Sequence, residues 1–173
     1  PGVGMFALAM SRGPITATFH TSTAGSMILD ASDGVLAPLL EKIRGRIAVS
    51  ALARRWQIEA LGSDAVEIPN GVDVAAFAGV DSSGEKSDRP TVVFLGRYDE
   101  PRKGMDVLVG ALPAVLESVP DLRLRIMGDG DERSLRARLP RGMEVEFLGR
   151  VSDTRKAAVL AAADVYCAPN TGG

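Results

Sequence analysis

Short apolar runs rich in β-branched residues alternate along this chain with longer segments whose apolar residues recur at helical spacing. Ile15-Thr16-Ala17-Thr18-Phe19 reads as a buried strand, with Gly13-Pro14 before it and polar His20-Thr21-Ser22-Thr23 after it. A helical stretch is expected over residues 26–42, interrupted around Gly34 and Pro38. Arg46-Ile47-Ala48-Val49 is the next strand candidate, and Ser50 then suits the N-cap of a helix with Leu52, Trp56 and Ala60 on one face. Ala65-Val66-Glu67-Ile68 predicts a third strand, closed by the turn signal Pro69-Asn70-Gly71.

Residues 79–90, rich in Ser, Gly, Asp and Lys, read as a linker, and beyond them the pattern restarts. Strand-like runs over 91–95, 122–127 and 145–148 are each followed at once by a glycine: Gly96, Gly128 and Gly149. Between them a helix is expected over 105–119, with Leu108, Leu112, Val115 and Val119 on one side. Asp131 and Glu132 open another, where negative charge suits a helix N-terminus. Strands separated by helices are the mark of βαβ units and parallel sheets with right-handed crossovers. The expected fold is therefore α/β, with two doubly wound parallel-sheet domains, 1–78 and 91–173, both incomplete and joined by 79–90.

Composition narrows the classes of function. Of 173 residues, 46% are hydrophobic, and 20 basic against 22 acidic side chains give a net charge of −2, which disfavours a general nucleic-acid binder. The single cysteine, Cys167, excludes an internal disulfide and a multi-cysteine metal site, and fits a reducing compartment. No apolar run approaches the roughly 18 residues that span a bilayer. The start at Pro1 without a Met, and the stop at Gly172-Gly173 just after an apolar run, lead to the expectation of a fragment.

In open α/β sheets, ligands bind beyond the carboxyl ends of the strands. The loops to inspect are therefore those at His20, at Asn70-Gly71, and over 96–104, 128–130 and 149–153. In Gly96-Arg97-Tyr98-Asp99-Glu100-Pro101-Arg102-Lys103-Gly104, three cations crowd the junction of a strand and a helix N-terminus, where N–H groups already favour an anion. Arg97 can grip two phosphate oxygens and Lys103 adds a mobile charge, so together they suit a diphosphate; the alternative is a solvated loop whose cations pair with Asp99 and Glu100. The loop is no Walker motif, and Gly128-Asp129-Gly130 fails the dinucleotide fingerprint because Arg133 holds the third glycine position.

Other candidates carry two readings each. His20, the one histidine, is either a hydrogen-bonded structural group or, with Thr21, Ser22 and Thr23, a contact for a polyol or phosphate; no second His or Cys lies near enough in sequence for a metal site. Asn70-Gly71-Val72-Asp73 reads as a turn with Gly71 at positive φ. Asp153 is either the N-cap of the helix ending near Ala162 or a carboxylate accepting the two N–H donors of a guanine edge. Cys167 reads as a small buried hydrophobe. Residues 35–46 combine Leu36, Leu39, Leu40 and Ile43 with Lys42, Arg44 and Arg46, as either a core-facing helix with a basic end or a surface for an anionic membrane.

Taken together, Pro69-Asn70-Gly71-Val72-Asp73, Gly96-Arg97 with Lys103-Gly104, and Gly128-Asp129-Gly130 resemble retaining glycosyltransferases of the GT-B fold. Longer stretches, Thr18 through Thr23, Ala53-Arg54-Arg55-Trp56-Gln57, Phe94 through Gly104 and Ala163 through Pro169, are similar to members that act on phosphatidylinositol. The resemblance implies that GDP-mannose gives mannose to the inositol ring with retained α configuration, at the cytoplasmic face of the membrane. It implies no permanently bound cofactor, no nucleic-acid partner, and a peripheral membrane contact mostly outside this segment. By position, Arg97 and Lys103 would hold the diphosphate, Val151 and Asp153 would meet the guanine with Lys156 nearby, and His20 with Thr21 would face the inositol phosphate and the reacting sugar. The family's glycine-rich loop would lie before Pro1 and its Glu-x7-Glu segment beyond Gly173. Gly25 stands where such members carry a lysine. Related readings are a transferase with a UDP-sugar donor or a soluble acceptor, and a sugar-nucleotide epimerase of the same shape.

Overall fold

The computed structural model describes residues 2–20 and 38–171. Two compact units divide the chain, one running up to Val72 and the other beginning at Asp73.

The first unit contains α1 (Gly2–Met10), β1 (Ile15–Phe19), β2 (Ile43–Ala48), α2 (Ala51–Leu61) and β3 (Val66–Glu67), and its sheet is parallel in the order β1-β2-β3. β1 falls where the sequence places it, but it is half-buried: Thr16 and Thr18 are exposed, while Ile15, Ala17 and Phe19 are covered. Alternating apolar and polar residues cover one face only. β2 begins at Ile43, three residues ahead of the expected run, so residues 43–46 form a strand and not the end of a helix. The helical reading therefore fails for residues 43–46. Its Gly45 leaves room for Thr16 of β1, whose hydroxyl oxygen would stand 2.7 Å from an added Cβ.

Ser50 caps α2, its Oγ accepting from the Ala53 N–H at 3.2 Å, and Gly62 ends the helix at φ 64°. The buried face of α2 runs through Ala53 and Gln57, whereas Leu52 is 59% exposed. Ala53 packs on Ala48 and Ala65, three small residues that let the helix lie close to the sheet, and this contact overrides the larger apolar stripe. The helix expected over 26–42 lies mostly outside the described residues.

The second unit has β4 (Thr91–Leu95), α3 (Met105–Ser118), β5 (Arg123–Met127), α4 (Glu132–Arg138), β6 (Glu144–Gly149), α5 (Asp153–Ala162) and β7 (Val165–Tyr166). All four strands are parallel, in the order β6-β5-β4-β7. Phe94, Leu124 and Ile126 meet Met105, Leu108 and Leu112 of α3 on one face, while Val93 and Met127 meet Val159 of α5 on the other. The buried stripe of α3 thus starts a turn earlier than expected, and Val115 is left 38% exposed. The Asp131 carboxylate accepts from the Ser134 N–H at 3.1 Å and opens α4, as the acidic pair suggests.

Residues 79–90 are fastened to this second unit. Glu85, in a 3₁₀ turn over Ser83–Glu85, accepts from the buried Arg125 guanidinium at 2.5 Å and from Arg155 at 2.9 Å. Arg125 also reaches Glu146 at 2.9 Å; Glu146 in turn pairs with Arg123, Arg123 with Glu144, and Glu144 with Arg89. A chain of alternating charges therefore runs from α5 across β5 and β6.

Candidate functional site

The strand order places a topological switch beside β4: the chain passes from β4 to β5 and β6 on one side, then returns to β7 on the other. Such a point opens a crevice at the carboxyl ends of the strands. Two loops border it, residues 96–104 after β4 and 167–171 after β7. They touch closely, because a Cβ on Gly104 would lie 1.8 Å from the Pro169 carbonyl oxygen, and the Thr171 N–H donates to the Arg102 carbonyl at 3.1 Å. Gly104 sits at φ 72°, so glycine is required both by its backbone and by its neighbour.

Pro101 starts a 3₁₀ turn that ends at Lys103, and Gly104 then opens α3 without a side-chain cap. The first N–H groups of this 14-residue helix thus lack the usual side-chain acceptor beside the cation loop. The three cations differ in their commitments. Arg102 pairs with Glu100, and Arg97 stands 3.6 Å from Asp99 while staying 68% exposed. Among the described residues, Lys103 has no carboxylate within ion-pair distance; its stem lies against Gly96, where an added Cβ would meet its Cδ at 3.6 Å. The solvated-loop reading thus holds for Arg102 and, more loosely, for Arg97, whereas Lys103 has no such pair among the described residues.

The neighbouring loop at residues 128–130 is tied to this one. Gly128, at φ 126°, would place a Cβ 2.2 Å from the Gly96 carbonyl oxygen, and its N–H donates to the Gly149 carbonyl at 2.8 Å. The Tyr98 N–H donates to the Asp129 carbonyl at 3.1 Å, and the Tyr98 hydroxyl donates to that of Gly130 at 2.9 Å. Burial, reinforced by Glu132, Asp129, Asp99 and Asp131, pushes the Tyr98 hydroxyl above its ordinary pKa and keeps it a donor. Asp129 pairs with Arg150, linking the ends of β5 and β6. Sequence pattern assigns Tyr98 and Pro169 no role; the signal for them is the presence of Gly130 and Gly104, each of which has a close neighbour.

Val151 is half-buried and packs against the Val93–Met127–Val159 cluster. The cap of α5 is Ser152, whose Oγ accepts from the Arg155 N–H at 3.2 Å, so the N-cap reading of Asp153 is replaced by its neighbour. Asp153 is 96% exposed and accepts from Lys156 at 2.5 Å, a hydrogen bond that holds its carboxyl below the usual value. It is ionised and free on its outer edge. Cys167 continues the sheet, its N–H donating to Val93 at 2.8 Å, and burial pushes its thiol up.

In the first unit, His20 is exposed just past the end of β1. Thr21 and Gly25 lie outside the described residues. Gly71 does not adopt a positive φ, so that turn needs no glycine for its backbone. Arg97 and Lys103 lie in the loop between β4 and α3, Val151 in the loop after β6, and Asp153 and Lys156 in the first turn of α5. Among the described residues, no group of three His, Cys, Asp or Glu side chains is placed to hold a metal, and no helix is long and apolar enough to cross a membrane.

Residues 89–173 match the family described as glycosyl transferases group 1. The whole chain is 58% identical to a phosphatidyl-myo-inositol mannosyltransferase of Mycobacterium tuberculosis, covering 46% of that protein. It is 30% identical over 90% of its length to a GDP-mannose-dependent monoacylated alpha-(1-6)-phosphatidylinositol monomannoside mannosyltransferase of Corynebacterium glutamicum, covering 44% of it. A solved glycosyltransferase of Rickettsia africae superposes with a TM-score of 0.68 at 19% identity, over 96% of this chain and 48% of that one. The fold is accordingly that of GT-B glycosyltransferases, and the chain spans about half the length of the curated relatives it matches.

Proposed function

We propose that this chain, whose residues 89–173 match glycosyl transferases group 1 and which is 58% identical to a phosphatidyl-myo-inositol mannosyltransferase of Mycobacterium tuberculosis, is part of an enzyme moving mannose from GDP-mannose to the inositol ring of phosphatidylinositol, with retention. The observation that carries this reading is the placement of Arg97 and Lys103, the latter without an acidic partner among the described residues, in the loop that leads into the uncapped N-terminus of α3 at the switch point. Three sources of positive potential converge there, which suits a diphosphate.

On this reading the bond from the anomeric carbon to the diphosphate oxygen breaks on the face where the inositol oxygen attaches, and the hydroxyl proton passes to the departing phosphate. Arg97 and Lys103 stabilise the charge that grows on that leaving group, which lowers the barrier. The outer edge of Asp153 accepts the two N–H donors of guanine, Lys156 keeps that carboxylate ionised, and Val151 packs beside the base. His20 and Thr21 face the inositol phosphate and the reacting sugar. The unit up to Val72 would belong to the acceptor-binding domain, and the unit from Asp73, with residues 79–90 fastened to it, to the sugar-nucleotide domain. The enzyme would work peripherally at the inner face of the cell membrane and hold no permanent cofactor.

The test is transfer of labelled mannose from GDP-mannose to phosphatidylinositol vesicles by the complete protein. A mannosylated lipid is expected. Transfer from a UDP-sugar in its place, or to soluble inositol alone, would contradict the donor or the acceptor respectively.

A further inference from the structure

Neither cation assigned to the diphosphate is fixed by its own contacts. Arg97 is mostly in solvent, and Lys103 has no acidic partner among the described residues. A mobile cation loses side-chain freedom on binding an anion, so its worth depends on how firmly its backbone is held. At the far end the loop is pinned by Gly104 against Pro169. At the near end one side chain does this. Tyr98, between Arg97 and Asp99, turns inward and makes two hydrogen bonds to the 128–130 loop, one from its N–H and one from its hydroxyl.

Its ring meets Phe147 of β6 edge-on, with centroids 5.8 Å apart, and the Arg136 guanidinium lies over the Phe147 ring at 4.5 Å. Gly130 makes the space: a Cβ there would lie 2.4 Å from the Tyr98 ring. Tyr98 therefore ties the cation loop to the ends of both β5 and β6. We propose that Tyr98 is a positioning residue for the transfer reaction, acting through Arg97 and Lys103 by clasping their loop to Gly130 and Phe147.

This rests on the diphosphate reading above, and a double-mutant cycle separates the two. GDP affinity is measured calorimetrically on the complete protein for wild type, Tyr98→Phe, Lys103→Ala and the double variant, with thermal midpoints taken in parallel. Tyr98→Phe keeps the ring and loses only the hydroxyl bond, so affinity should fall roughly fivefold. In the Lys103→Ala background the same change should cost less than in wild type, because one of the two groups it positions is gone. Gly130→Ala, which drives the ring out from the opposite side, should weaken GDP at least as much as Tyr98→Phe. Equal losses from Tyr98→Phe in both backgrounds, or a lowered midpoint with unchanged GDP affinity, would overturn the positioning role while leaving the diphosphate site standing. Unchanged affinity in Lys103→Ala alone would instead overturn the site itself.

Discussion

The Arg125 guanidinium, 3% exposed, is held 2.5 Å from the Glu85 carboxylate, which comes from the segment whose composition reads as a linker. The pair fastens residues 79–90 to β5, and through Arg155 to the first turn of α5, which carries Asp153 and Lys156. A buried charge that loses a partner is costly, although Glu146 remains as a second one. Glu85→Gln should therefore destabilise the second unit by about 2–3 kcal/mol in denaturant unfolding. Replacing Arg125 by Met in the same protein should restore part of that loss.

The same pair sets an acid limit. The hydrogen bond from Arg125, outweighing burial and aided by Arg155, lowers the Glu85 pKa from its ordinary 4.5. A depressed carboxylate adds stability that is complete above its unfolded value and lost as pH falls through its folded one. The second unit should hold its midpoint above about pH 5 and lose it progressively below 4.5, and Glu85→Gln should flatten that slope. In the first unit, the hydrogen bond from Arg54 draws Asp64 down from 3.8 to about 2. Its contribution should fade between those values, and salt should weaken it because both partners are exposed.

Gly104 and Gly142 form a matched comparison. Both have positive φ, 72° and 83°, but only Gly104 has a neighbour in the way of a Cβ. Gly142→Ala should cost about 1–2 kcal/mol of stability from backbone strain alone. Gly104→Ala should cost more, and should also weaken GDP binding by roughly tenfold or more, since the loop must leave Pro169 to relieve the collision. Chemical denaturation and calorimetry on the two variants separate strain from displacement.

If Asp153 reads guanine, Asp153→Asn should weaken GDP by roughly 1–3 kcal/mol while leaving UDP affinity unchanged. Equal effects on the two nucleotides would assign Asp153 only to its ion pair with Lys156.

β1 and β4 were legible because each is a short run rich in β-branched residues closed by glycine or by a polar loop, and both fall where the pattern places them. Helix starts were legible through caps at Ser50 and Asp131, whose side chains bond locally. Helix faces were less so. For α2, Ala53 faces the sheet instead of Leu52, because a close approach between small residues outweighs side-chain size and periodicity does not register it. The cations of the site could be read from the spacing of Arg97, Arg102 and Lys103. Their division could not, since only three-dimensional contacts commit Arg102 to Glu100 and leave Lys103 without an acid among the described residues. The role of Tyr98 is not legible for the same reason: its partners, Gly130 and Phe147, are distant in sequence.

Lys103 is proposed to hold the diphosphate of the donor. Titrating GDP into wild type and Lys103→Ala under identical salt tests it most directly. The loss of one charge-assisted contact should weaken binding by roughly 1.5–3 kcal/mol, about tenfold or more, with no change in unfolding midpoint. Wild-type affinity in the variant would contradict the account.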